Sequence, residues 1–194
     1  MPGVATNSIV VGEVTNINDP LHQGRVRVKY PSLDQEESDW ARLVSPMAGR
    51  DRGIHFWPEV GDEVLVAFEH GDPRRPYVLG ALWSAPDAPP ADDGKAGQNN
   101  WRFIKSRSGH IFKFDDTAGQ EKIEIIDQAG AHKIVIDSQA GKIQVTCASG
   151  DVEVSAGAGT VKVEALTVEI KASGNMSIEA SGMLTIKGAT VNIN

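Results

Sequence analysis

Apolar residues recur in pairs through the second half of this chain, and both members of each pair stand two positions apart. The pairs are Phe112/Phe114, Ile123/Ile125, Ile134/Ile136, Ile143/Val145, Val152/Val154, Val161/Val163, Val168/Ile170, Met176/Ile178, Leu184/Ile186 and Val191/Ile193. A spacing of two puts both side chains on one face of a β-strand. The step from pair to pair shortens from 11 residues to 7 or 8, so one small unit recurs with ever shorter turns. Gly-bearing dipeptides such as Ala129-Gly130, Ala140-Gly141, Ser149-Gly150, Ser173-Gly174 and Ser181-Gly182 separate the units. Between the paired residues the strands carry polar side chains, Lys113, Glu124, Gln144, Glu153, Lys162 and Glu169 among them, with Val135 the exception. The pattern predicts strands that are apolar inside and wet outside.

The first half reads differently. Ser8–Ile17, Arg25–Tyr30, Trp40–Val44, Glu63–Glu69 and Pro76–Trp83 are short β-rich runs, the fourth entered from a Gly61-Asp62 turn and the fifth from Gly71-Asp72-Pro73. Five short strands in some 80 residues suggest a small barrel of the oligonucleotide/oligosaccharide-binding (OB) type. Pro46–Glu59 suits a short helix or an irregular loop, and no long helix is expected anywhere. All 10 prolines lie at or before Pro90, and every aromatic lies at or before Phe114. The Pro-, Gly- and Asp-rich stretch from Ser84 to Asn100 reads as a linker. The expected organisation is a barrel over 1–83, a linker over 84–104 and the ladder over 105–194.

Three architectures accommodate the ladder. A sandwich or meander of antiparallel strands is one, although sandwich cores normally use larger residues than these. A single-chain solenoid is the second, but ten strands make only about three turns, near the minimum for stability. In the third, three chains wind into a triangular prism and pool their inward pairs. Each strand offers only two inward residues, so one chain hardly encloses a core, and the third reading is preferred. The predicted trimer core is Ile123, Ile125, Ile134, Ile136, Ile143, Val145, Val152, Val154, Val161, Val163, Val168, Ile170, Met176, Ile178, Leu184 and Ile186. Ten rungs at about 4.8 Å each give a needle of roughly 50 Å. Lateral hydrogen bonds and a dry core suit such a needle to bearing load, and no proline interrupts it.

Charge and chemistry narrow the reading further. Net charge is −7, with 10 basic and 15 acidic side chains over 1–104 and 9 and 11 over 105–194. That argues against a nucleic-acid or anionic-membrane surface. No apolar run reaches the 18 residues of a spanning helix, and Met1–Ile9 has no secretory signal pattern. The single Cys147 excludes an intrachain disulfide and a Cys-based zinc site, and reads as a buried, inert thiol. The five histidines, at 22, 55, 70, 110 and 132, show no metal-ligand spacing, although His55 and His70 have room to meet in the barrel. Asp92/Asp93 and Asp115/Asp116 read as solvated turns rather than catalytic pairs, and Ser108-Gly109-His110 lacks the surroundings of a hydrolase elbow. Trp40, Trp57 and Trp83 read as packing residues of the barrel and its junctions. No cofactor, metal or catalytic constellation is expected.

Four segments together resemble a known family. They are Gly24–Pro31 (GRVRVKYP), Trp40–Pro46 with Ala48-Gly49, Phe56–Val66 (FWPEVGDEVLV) and Gly71–Gly80 (GDPRRPYVLG). They resemble the OB domain of contractile-tail spike proteins: phage baseplate assembly protein V, the phage tail-lysozyme spike and the valine-glycine-repeat (VgrG) spike of type VI secretion. The resemblance implies an all-β chain, an N-terminal OB-fold barrel followed by an intertwined homotrimeric triple-stranded β-helix. It implies a structural, non-enzymatic central spike that pierces the target envelope when a sheath contracts. Assembly in the cytoplasm and residence in a virion or particle baseplate follow. The gap of about 17 residues after the barrel is too short for the lysozyme domain of some relatives. A separate hub protein at the N-terminal end is expected. The ladder lacks the metal-binding His-x-His tip of some short spikes, so a PAAR-type tip protein is expected on the last rung, Val191, Asn192, Ile193 and Asn194. The alternative reading is an OB-type carbohydrate- or nucleic-acid-binding module on an oligomeric stalk.

Overall fold

The computed structural model describes residues 9–32, 37–92 and 97–193; Ser8, Asp93 and Asn194 lie outside these residues. Strands β1 (Val10–Asn16), β2 (Arg25–Lys29), β3 (Ala41–Leu43), β6 (Glu63–Phe68) and β7 (Pro76–Ala81) close into a barrel in the order β1-β2-β3-β7-β6. All neighbours are antiparallel except β3 and β7, which run parallel through Arg42↔Tyr77 and Leu43↔Val78. Each strand falls within a run anticipated from the alternation of apolar and polar residues. The segment between β3 and β6 carries a two-stranded ribbon, β4 (Ala48–Gly49) with β5 (Arg52–Gly53), and no helix.

Alternation explains the barrel core. Val14, Val26, Val28, Ala41, Val64, Val66 and Val78 are fully buried, and Tyr30 closes one end edge-on to Phe68 with ring centroids 5.6 Å apart. Gly12 breaks the run in β1 for a packing reason: a Cβ there would lie 2.2 Å from Val28 Cγ1 and 3.1 Å from the Lys29 carbonyl oxygen. The β1–β2 loop is organised by Asp19. Its carboxylate accepts from the Leu21 and Gln23 N–H groups at 3.0 and 2.8 Å and from the Arg25 guanidinium at 3.0 and 2.7 Å. The Arg25 guanidinium foremost, and then these backbone donors, hold the Asp19 carboxyl well below the usual carboxylate range.

Beyond the barrel, β8 (Trp101–Lys105), β9 (Ile111–Asp115), β10 (Lys122–Ile126), β11 (His132–Asp137) and β12 (Lys142–Cys147) form an antiparallel meander in chain order. β8 begins at Trp101, directly after the Ser84–Asn100 stretch that the composition reads as linker and within the expected 84–104 bounds. The register sets successive ladder pairs side by side: Ile123 opposes Phe114 and Ile136, and Ile125 opposes Phe112 and Ile134. Ile143 and Val145 extend the two rows. Over this stretch the ladder strands lie next to one another within a single chain, as in the meander reading. From Asp151 to Ile193 the backbone forms no strand within one chain.

Candidate functional site

The two faces of the meander differ in a way that the alternation alone did not convey. Phe112, Phe114, Ile125, Ile134 and Ile136 are about two-fifths to one-half exposed, and Ile143 and Val145 more so. The polar face is the covered one. Asp115 and Glu124 are buried, and the Lys113 ammonium lies 2.5 Å from Glu124 Oε2 and 4.2 Å from the centre of the Trp101 ring. The expectation of a wet outer face therefore fails at Lys113 and Glu124. Cross-strand pairing sets them directly opposite one another, and the indole covers the ammonium.

Asp115 likewise is no solvated turn residue. It ends β9, and burial alone would raise its pKa, but the Thr117 hydroxyl and N–H and the nearby Lys113 charge hold it below the usual range. Asp116 is exposed and pairs with Arg102.

The predicted trimer-core residues thus divide into two groups. Ile123, Ile125, Ile134, Ile136, Ile143 and Val145 are brought together on one face of one sheet. Val152, Val154, Val161, Val163, Val168, Ile170, Met176, Ile178, Leu184 and Ile186 are each at least half exposed and lie in no strand of their own chain. Val191, Asn192 and Ile193 at the predicted tip contact are exposed as well; Asn194 lies outside the described residues.

A groove of about 780 Å³ runs over the open apolar face, floored by Ile104, Phe112, Ile125, Ile134 and Val145. Its polar end holds His110, Asp127, His132 and Cys147, with His132 and Cys147 opposed in register. Cys147 is only half-buried, its thiol 3.0 Å from the Ser149 carbonyl oxygen. His110 Nδ1 accepts from the Gln128 N–H at 3.1 Å. Among the described residues no three His, Cys, Asp or Glu side chains converge as metal ligands. His55 stacks on Trp57 at 4.6 Å, while His70 occupies the β6–β7 turn. Trp57 also covers Gly24 and Trp40 packs under arginine, but Trp83 stands about three-quarters open, contrary to a packing role.

Sequence reasoning missed a second cluster, on the barrel wall. Arg25 and Arg27 lie over the Trp40 ring at 5.7 and 5.1 Å, and Arg42 lies over the Tyr77 ring at 5.6 Å. The signal was the alternation in Arg25–Lys29 and Ala41–Leu43, which turns these arginines outward.

Comparison with known proteins agrees with this geometry. Residues 10–83 match the family model described as the type VI secretion system/phage-baseplate injector OB domain. The actin cross-linking toxin VgrG1 of Vibrio cholerae serotype O1 is 25% identical over 88% of this chain and 15% of its own length. The type VI secretion system spike protein VgrG3 of the same species is 28% identical over 60% of this chain and 11% of its own. The spike protein VgrG1a of Pseudomonas aeruginosa is 28% identical over 60% of this chain and 18% of its own. The chain thus spans less than a fifth of the length of these relatives. The barrel is an injector OB domain of the baseplate type. The chain as a whole is similar to VgrG-like spike proteins of secretion systems and phage baseplates.

Proposed function

We propose that this protein is the homotrimeric central spike of a contractile injection machine, in which barrels form a collar and the ladder forms a needle that crosses the target envelope on contraction. The observation that carries the reading is the apolar face left open by β8–β12 and continued, pair after pair, through Val152 to Ile193. A face of this size open to water disfavours a lone chain, since large contiguous apolar patches mark interaction surfaces. Second and third copies of the same ladder supply a cover of matching period. Strands then form between chains where a single chain offers no partner, and the 151–193 backbone gains its hydrogen bonds there. A hub protein at the collar, and a PAAR-type tip on Val191, Asn192 and Ile193, complete the proposed assembly.

Size-exclusion chromatography with light scattering tests this directly. The expected mass is three times 20.8 kDa, and a monomer at working concentration rejects the reading. Ile134→Asp, on the open face, is expected to abolish the trimer. Gln144→Asp, exposed on the opposite face of β12, is expected to leave it assembled.

A further inference from the structure

The arginine–aromatic cluster on the barrel wall borders a cleft of about 300 Å³ lined by Arg25, Trp40, Arg42, Glu69, Arg75 and Tyr77, among others. Three separate parts of the barrel build it: the β1–β2 loop with β2, then β3, then the β6–β7 turn with the start of β7. In OB barrels these are the elements that face ligands. The register makes the site legible. Arg25 opposes Arg42, and Arg42 opposes Tyr77, so two arginines and a tyrosine form one row across three strands.

Like charges directly opposite on neighbouring strands are destabilising. Asp19 offsets one of them by taking the Arg25 guanidinium in two hydrogen bonds. Arg42 has no carboxylate at ion-pair distance among the described residues, and its guanidinium carbon lies 5.6 Å from the centre of the Tyr77 ring. Arg75, at the rim, has one long contact to Glu69 at 3.3 Å and is mostly exposed. The cleft therefore presents a preoriented guanidinium, a second one that is weakly held, and two aromatic rings.

We propose that this cleft binds a short acidic peptide segment of a partner protein, a carboxylate on Arg42 and Arg75 and the neighbouring side chain against Trp40 or Tyr77. Arg forks match carboxylates in two parallel hydrogen bonds. A polyanion fits less well. Asp19, Glu69 and Asp72 flank the arginines, and residues 1–104 carry 15 acidic against 10 basic groups. A repeating phosphate strand would run over carboxylates on leaving the cleft. A neutral saccharide gives no reason to keep two opposed arginines. The barrel closes within one chain, so this site stands whether or not the chain trimerises.

The test is fluorescence anisotropy of the full-length protein with a fluorescein-labelled Glu-rich peptide, a Lys-rich peptide of equal length and an oligothymidylate. Saturable binding of the Glu-rich peptide alone is expected, weakened when salt rises from about 0.05 to about 0.5 M. Arg42→Gln and Arg75→Ala are each expected to weaken it about tenfold or more, which is about 1.4 kcal/mol. Arg107→Ala, on the meander side, is expected to have no effect. Arg75 is exposed, so its variant reports on binding even where Arg42→Gln impairs folding. Absence of saturable peptide binding, wild-type affinity in the Arg75→Ala protein, or tighter oligothymidylate binding through the same residues overturns the proposal.

Discussion

Gly12 shows how much a single side-chain atom decides in a barrel this small. The core is built from six valines, Ala41 and Tyr30, and β1 passes close enough to β2 that no Cβ fits at position 12 without displacing Val28. Gly12→Ala is expected to destabilise the barrel by about 1–3 kcal/mol, the usual cost of overpacking, read as a lower urea midpoint at unchanged slope. Asp72 illustrates a different residue-scale effect. The Arg74 side chain foremost, and then the Arg74 N–H, lower its pKa from 3.8 to about 2. A lowered carboxylate contributes stability above its unfolded pKa and loses it as pH falls through the folded value. The β6–β7 turn should therefore keep this contact at pH 4 and lose it toward pH 2. A carbon-detected NMR titration of the Asp72 carboxyl checks this, and a midpoint near 3.8 contradicts the assigned geometry.

Among the elements, the meander is where sequence and structure part most instructively. The barrel strands were readable because turns such as Gly61-Asp62 and Gly71-Asp72-Pro73 fall between clean alternations. The ladder pairs were readable for the same reason, and they do share one face. β8 was not, because Trp101–Lys105 follows directly on a polar, Gly- and Asn-rich run that resembles a linker. The burial of Asp115 and Glu124, with Lys113 largely covered beside them, was equally hidden: alternation says which face a residue takes, not which face ends up covered. The barrel-wall cleft escaped because its residues come from three stretches far apart in the chain, and an overall negative charge masked a local group of arginines. The buried charges have a consequence of their own. Lys113→Ala leaves Asp115 and Glu124 covered, with Lys122 at 3.6 Å as the remaining ammonium beside Glu124. A loss of about 1–3 kcal/mol is expected, with denaturant melts of the variant against wild type as the measurement.

At the scale of the whole molecule, the chain combines a stretch whose strands pair within one chain with a stretch that forms none. The barrel closes on itself and the meander pairs internally except along the outer edges of β8 and β12, while 151–193 form no strand within one chain. Hydrogen exchange separates the two. In a protein held monomeric by Ile134→Asp, amides of β9–β11 are expected to stay protected and those of 151–193 to exchange at nearly unfolded rates. In assembled wild type both sets should be protected, and early protection of 151–193 in the monomer would refute the division. The distribution of aromatic residues has an optical consequence. With Phe114 the last of them, everything from Asp115 onward is silent in near-ultraviolet absorption and emission. A tryptophan-fluorescence melt thus watches only the barrel and the first strands of the meander, while far-ultraviolet dichroism watches the rest of the chain too. The two curves describe different objects, and their separation along the temperature axis measures how the melting of the aromatic-free stretch differs from that of the barrel.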